Sequence, residues 1–94
     1  MPMQILQTRL FERQKKKLKK NQIADLDEGV QAIAQDPRIG EEKAGDLKGV
    51  RVHKFQMVKQ QTLVAYEWDG KNRIVLLALG PHENFYRKLK RYLV

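Results

Sequence analysis

The residues best suited to chemistry fall in two short groups in the second half of the chain. Arg51, His53 and Lys54 lie in an alternating segment that predicts a β-strand, and His82 and Tyr86 open a short basic helix. Strand neighbours alternate between faces, so Arg51 and His53 share one face while Lys54 points to the other. His82 and Tyr86 are four positions apart and share a helix face. If the helix begins beside the strand, the two pairs converge on one concave patch.

Such a patch contains the residue types needed to cleave RNA through its 2′-hydroxyl group. The reaction needs a base for the 2′-hydroxyl proton, cations for the charge on the phosphorane, and an acid for the leaving 5′-oxygen. His53 or His82 can serve as base or acid, because imidazole titrates near neutral pH. Arg51 is suited to clamping the phosphate, and Lys54 or Lys59 can add positive charge.

These residues also have ordinary structural interpretations. Tyr86 can stack on a splayed base or align a phosphate oxygen, but it can equally dock the helix on the core. A lone histidine is usually a surface or hydrogen-bonded structural residue, which applies to His53, and His82 can simply be a turn residue before the helix. The two histidines and the scattered carboxylates lack a metal-ligand spacing, and no phosphate-binding glycine loop is present, so we expect neither metal nor cofactor.

The composition limits the classes of function that remain. The 94 residues fit one domain, 1–94, and the chain has no cysteine for disulfides or thiolate catalysis. A formal net charge of +8 attracts polyanions, which makes nucleic acid the leading partner class, with acidic proteins and anionic membranes as alternatives. No leader or membrane-spanning run is evident, so the sequence predicts a cytoplasmic protein without membrane contact.

Several cations are expected to contact the phosphates of RNA. For the lysines within 15–20 and for the cations of the last helix, the alternative is a solvated helix face. The predicted contacts are Lys15, Lys16, Lys19, Lys54, Lys59, Arg87, Lys88 and Arg91.

The elements that must position these groups follow from periodicity and turn signals. The pattern predicts an α+β fold of order βααβββα, in which an N-terminal strand and a helical hairpin pack on an antiparallel sheet and a short helix ends the chain. Thr8 is a predicted N-cap, Asp36-Pro37 ends the hairpin, and Gly80-Pro81 breaks the last strand. The predicted strands are 3–7, 50–57, 62–68 and 73–79; the hairpin turns near 19–22, 38–49 is a loop, and the last helix is 82–93.

Two long stretches resemble the RelE/ParE superfamily of toxins from type II toxin-antitoxin systems. DPRIGEEKAGDLKGVRVHKF is similar to the segment in which the hairpin ends in a Pro-Arg turn and leads through a leucine-glycine loop into a basic strand. TLVAYEWDGKNRIVLLALGPHENFYRKLKRYL resembles the closing strands and C-terminal helix of that family. The resemblance implies a toxin that pairs with a co-encoded antitoxin in a hetero-oligomer. RelE-type members cleave mRNA on the ribosome, and ParE-type members poison DNA gyrase.

The site residues favour the RelE-like branch. Arg51 and His53 align with paired basic residues on the strand of RelE-like nucleases, His82 falls where these place an Arg or His, and Tyr86 matches a C-terminal tyrosine. The chain departs from the pattern at Thr62, near which such enzymes usually have an arginine for which Lys59 can substitute. The resemblance thus implies a metal-independent, ribosome-dependent mRNA endonuclease that inhibits translation. The alternatives are a gyrase inhibitor and a binding module of this fold without catalysis.

Overall fold

A computed structural model describes residues 3–93, in which a five-stranded sheet is covered by helices. The predicted α+β class and the order βααβββα are confirmed, with one very short strand added between the second helix and the second predicted strand. Met1, Pro2 and Val94 lie outside the described residues, and the single domain 1–94 stays a prediction. The elements are β1 Gln4–Gln7, α1 Arg9–Lys16, α2 Lys20–Gln35, β2 Glu41–Glu42, a one-turn 3-10 helix Gly45–Leu47, β3 Arg51–Met57, β4 Gln60–Trp68, β5 Arg73–Pro81 and α3 Phe85–Leu93.

The strand order across the sheet is β1-β5-β4-β3-β2. β2 to β5 pair antiparallel as a meander, whereas β1 lies parallel to β5 at the opposite edge. The sheet is therefore mixed. β1 and β5 are distant in the chain, since the helical hairpin and the first strands of the meander lie between them. The predicted loop 38–49 contains both β2 and the 3-10 helix.

The helical hairpin covers one face of the sheet. Thr8 caps α1 as predicted, since its hydroxyl accepts from the Phe11 amide at 3.1 Å and donates to the Leu77 carbonyl at 2.7 Å. Buried side chains of the hairpin, including Phe11, Leu26 and Ile33, form a core with residues of β3, β4 and β5. The turn falls earlier than predicted, at 17–19, and the Lys19 amide donates to the Gln22 side chain at 2.8 Å at the start of α2.

A second core lies on the other face, under α3. Phe85 and Leu89 of α3 are buried against a group that includes Val52, Leu63 and Leu77 of the sheet. Two predicted boundaries differ here. β5 continues through Gly80 to Pro81, which pairs with Thr62, and α3 begins at Phe85 rather than His82. Asn84 adopts a φ of 60°, so the chain turns before the helix can start.

Candidate functional site

Arg51 and His53 lie on the face of the sheet that the helical hairpin covers. Their neighbours across β3 and β4 are Tyr66 and Val64, and both of these side chains belong to the core beneath α1 and α2. Tyr86 instead packs against the core beneath α3. The predicted convergence of the two pairs on one patch is therefore wrong, because the sheet separates them.

Arg51 holds the backbone of the segment that precedes β2. Its guanidinium donates to the Gly40 carbonyl at 2.9 Å and to the Arg38 carbonyl at 3.5 Å. The same group pairs with the Glu42 carboxylate at 3.6 Å. These contacts give the half-buried Arg51 side chain a structural task, and this geometry does not support its predicted role as a phosphate clamp.

His53 is half-buried beside the hairpin. Its ring stacks on Phe55 with centroids 5.7 Å apart, and Phe55 in turn packs on α2 at Gly29. Burial lowers the pKa of the His53 imidazole below its ordinary value, because the charged form of the ring is poorly hydrated in this position. The lowered pKa favours the neutral imidazole that a base would need, but His53 lies on the face opposite to Tyr86.

His82 and Tyr86 are in contact, as their spacing predicts, although His82 precedes the helix. The His82 carbonyl accepts from the Phe85 amide at 3.2 Å, which closes a turn at the start of α3. The imidazole then meets the Tyr86 ring edge-on, with centroids 5.9 Å apart and an interplanar angle of 81°. His82 is exposed and Tyr86 is half-buried, so this pair borders open surface on the α3 side.

Lys43 joins this pair from the position directly after β2 and was not predicted as a site residue. Its ammonium lies 5.1 Å from the centre of the Tyr86 ring and 2.6 Å from a carboxylate oxygen of Glu41. The pairing with Lys43 lowers the pKa of the Glu41 carboxyl group, and the same contact raises the pKa of Lys43. The only sequence signal was an acid and a lysine two positions apart in a predicted loop, which did not indicate a strand beside α3.

Lys54 adds a further exposed cation on the same face. Its partner across β3 and β4 is Leu63, which belongs to the core beneath α3. Lys54 also contributes to the lowered pKa of the Glu41 carboxyl group, which places the two charges within electrostatic range. We call this group the α3-face cluster; it consists of Glu41, Lys43, Lys54, His82 and Tyr86.

The other predicted phosphate contacts are spread over the surface of the molecule. Lys15 and Lys16 are paired with acids of the hairpin at 3.9 and 3.6 Å, and Lys19 is exposed at the turn between α1 and α2. Lys88 and Arg91 border a groove of about 440 Å³ between α1 and α3. The two remaining positions are both exposed: Lys59 in the β3–β4 turn and Arg87 on α3.

Thr62 is buried and its hydroxyl donates to the Gln60 carbonyl at 3.2 Å. Among residues 3–93, no three His, Asp or Glu side chains are grouped closely enough to hold a metal ion. Within the same range, no helix is long and apolar enough to cross a membrane.

Comparison with known proteins identifies the family. A family model described as "ParE-like toxin of type II bacterial toxin-antitoxin system" matches residues 5–90. No curated protein matches the chain.

Solved structures share the fold at low sequence identity. A mutant of the E. coli toxin RelE in the free state has 15% identity and a TM-score of 0.74, with 100% of both chains covered. The RelBE2 toxin-antitoxin complex from Mycobacterium tuberculosis has 19% identity and a TM-score of 0.72, covering 87% of this chain and 100% of that one. The archaeal RelE-RelB complex from Pyrococcus horikoshii gives 14% identity and a TM-score of 0.56, covering 88% and 98%. The chain therefore belongs to the ParE-like toxins of type II bacterial toxin-antitoxin systems and has the fold of RelE toxins.

Proposed function

We propose that this toxin is a ribosome-dependent mRNA endonuclease whose active site is the α3-face cluster. The observation that supports it best is the contact between His82 and Tyr86 beside Lys43, with Lys54 on the same face of the sheet. An imidazole, a phenol ring and two ammonium groups together provide proton transfer, base stacking and charge stabilisation for one phosphate. The likeness to RelE toxins supports the fold on which such a site stands.

The roles follow from the chemistry of each group. Neutral His82 takes the proton of the 2′-hydroxyl, the 2′-oxygen attacks the phosphorus, and the 5′-oxygen leaves and is protonated by solvent water. The products are a 2′,3′-cyclic phosphate and a 5′-hydroxyl end. Lys54 offsets the charge that develops on the phosphorane, and Tyr86 stacks on the base beside the cleaved bond. No metal is required for this route.

Dependence on the ribosome follows from the open shape of the site. His82 and Lys54 are exposed, and a surface of this kind does not by itself hold a flexible strand with the attacking and leaving oxygens in line. A ribosome would supply that alignment, and the net charge of +8 favours association with its RNA. We propose that the free toxin acts in the cytoplasm.

The proposed partner in the resting state is a cognate antitoxin, in a hetero-oligomeric complex. Two of the similar structures are RelE-RelB type complexes, which supports such a partner for this chain. An acidic antitoxin segment would complement the positive surface of the toxin.

The test is induction of the toxin without a partner in growing bacteria, followed by primer extension on a translated and an untranslated message. We expect codon-phased cuts on the translated message only. The double variant H82A/Y86L should abolish both the cuts and growth arrest, while H53Q, on the opposite face, should retain both. Circular dichroism and ribosome cosedimentation control for folding and binding. A folded double variant that is still fully toxic would show that the site assignment is wrong.

A ParE-like inhibitor of DNA gyrase is the second candidate function. The family model that matches the chain is described as ParE-like, and the separation of Arg51 and His53 from His82 and Tyr86 weakens the correspondence with RelE-like nucleases. This function predicts growth arrest with intact mRNA and with DNA damage. It also predicts that neither histidine affects toxicity.

A further inference from the structure

Lys43 is the less exposed of the two lysines in the α3-face cluster, and its ammonium contacts both Glu41 and Tyr86. Its side chain is 19% exposed, whereas that of its partner Glu41 is 68% exposed. The ammonium lies between the Glu41 carboxylate and the face of the Tyr86 ring. We propose that Lys43, oriented by Glu41, is a positioning residue that fixes the Tyr86 ring so that the RNA base stacked on it is aligned in the transition state of cleavage. This inference rests on the proposed function.

The backbone of the edge strand places both side chains on the required face. Glu41 pairs with Val52 of β3, whose side chain belongs to the core beneath α3, so Glu41 projects on the α3 side. The Lys43 amide donates to the Val50 carbonyl at 2.9 Å, which extends this pairing beyond the strand. Glu41 and Lys43 are two positions apart and therefore reach α3 together.

The contact between Lys43 and Tyr86 requires positive charge. The face of an aromatic ring carries negative potential and attracts a cation within about 6 Å. The Glu41 hydrogen bond raises the pKa of Lys43, so the ammonium stays charged at neutral pH, and the lowered pKa of Glu41 keeps the carboxylate charged as well. Arginine can keep this interaction, whereas methionine has a similar length without the charge.

The contacts of Tyr86 within its own helix hold the ring only in part: Phe85 meets it edge-on with centroids 5.5 Å apart. α3 is held to the sheet by buried Phe85 and Leu89, while Tyr86 lies half-buried at the margin of that core. The imidazole of His82 meets one edge of the ring, and Lys43 covers one of its two faces, so a base would stack on the other face. Removal of Lys43 leaves the helix docked but frees the ring, and a base stacked on Tyr86 in the transition state then loses its alignment.

The experiment compares K43M, K43R and E41Q with wild-type toxin in cleavage of mRNA on programmed ribosomes. We expect K43M to lower kcat about two- to fivefold with little change in KM, which is the size of an exposed cation–π contact. K43R should restore most of the rate, and E41Q should fall between. The matched control is K48M, which removes the same charge from an exposed lysine in the same loop and should have no effect.

A double-mutant cycle with Y86L separates positioning from direct phosphate contact. If Lys43 acts through Tyr86, K43M has no further effect on kcat in the Y86L background. Equal and additive losses in both backgrounds would overturn the inference, as would identical rates for K43M and K48M.

Proton NMR of the folded toxin provides a measurement that does not depend on activity. The ring of Tyr86 should move the Lys43 ε-methylene resonances upfield, and Y86L should abolish that shift. A normal Lys43 shift in the wild-type protein refutes the positioning contact itself. A shifted Lys43 in a protein that cleaves no RNA refutes the proposed function and the catalytic part of the inference, while it supports the contact.

Discussion

Replacement of Gly40 by alanine should destabilise the toxin strongly, because Tyr66 fills the space that a side chain would need. A Cβ atom on Gly40 would lie 2.5 Å from the Tyr66 hydroxyl oxygen and 2.7 Å from a ring carbon. The Tyr66 side chain is fully buried, so it has no open space into which to move. Its hydroxyl also donates to the Pro37 carbonyl at 2.7 Å and accepts from the Gly40 amide at 2.9 Å.

The magnitude follows from these contacts. Overpacking of a well-filled core costs roughly 1–3 kcal/mol. Displacement of the hydroxyl removes its hydrogen bonds, at about 0.5–1.5 kcal/mol for each one lost. We therefore expect G40A to reduce the free energy of unfolding by roughly 2–4 kcal/mol. Because each kcal/mol shifts the Tm of a small domain by about 4–8 °C, the Tm should fall by at least about 8 °C.

The assay is thermal and urea unfolding followed by circular dichroism. G80A is the matched control, since its Cβ would meet Phe85 at an ordinary 3.6 Å, and it should unfold within about 1 kcal/mol of wild type. In the double variant G40A/Y66F the closest clash is gone, so the combined loss should be smaller than the sum of the single losses. A G40A protein as stable as G80A, or fully additive effects, would refute the close packing of Tyr66 on Gly40.

Two further predictions concern His53 within β3 and Val58 in the turn that follows this strand. Val58 is a β-branched, 41% exposed residue with a φ of 48°, a conformation that asparagine tolerates better. V58N should therefore raise the free energy of unfolding by about 1 kcal/mol in urea titrations. A loss of stability would contradict the turn geometry. Burial lowers the pKa of His53, so the unfolded chain binds the proton more tightly and the stability present above the ordinary value of 6.5 should decline as the pH falls below it. H53Q should flatten this part of the stability profile between pH 7.5 and 5, and an unchanged slope would count against burial of the imidazole.

Local signals in the sequence were sufficient to predict most of the fold. Apolar periodicity located both hairpin helices and the three long strands, and Thr8 marked the start of α1. The two-residue β2 could not be predicted, since its pairing with β3 depends on tertiary contacts rather than on any period. The late start of α3 depends on the positive φ of Asn84, which asparagine permits but does not require.

The candidate site was predicted only in part, because the sequence does not state which face of β3 each helix covers. Alternation correctly separated Lys54 from Arg51 and His53. Apolar residues occur at both odd and even positions of this strand. Val52 faces one core and Met57 the other, as in a strand that is covered on both faces. Two covered faces were not predicted for this strand, and only the packed structure assigns α3 to the face of Val52, which leaves His53 apart from His82.

The division of the two histidines has a consequence for the proposed reaction. One imidazole remains in the α3-face cluster, so a pair of histidines cannot share the roles of base and acid as the sequence had allowed. With His82 as base, the leaving oxygen must take its proton from water, and the rate then depends more heavily on alignment of the phosphate and on charge stabilisation. Lys43 and Glu41 contribute to that alignment from within the toxin by fixing Tyr86, while the alignment of the RNA strand itself must come from the ribosome. A site with incomplete proton transfer but a fixed aromatic platform would therefore cleave free RNA poorly, and its ribosome dependence would follow from its chemistry.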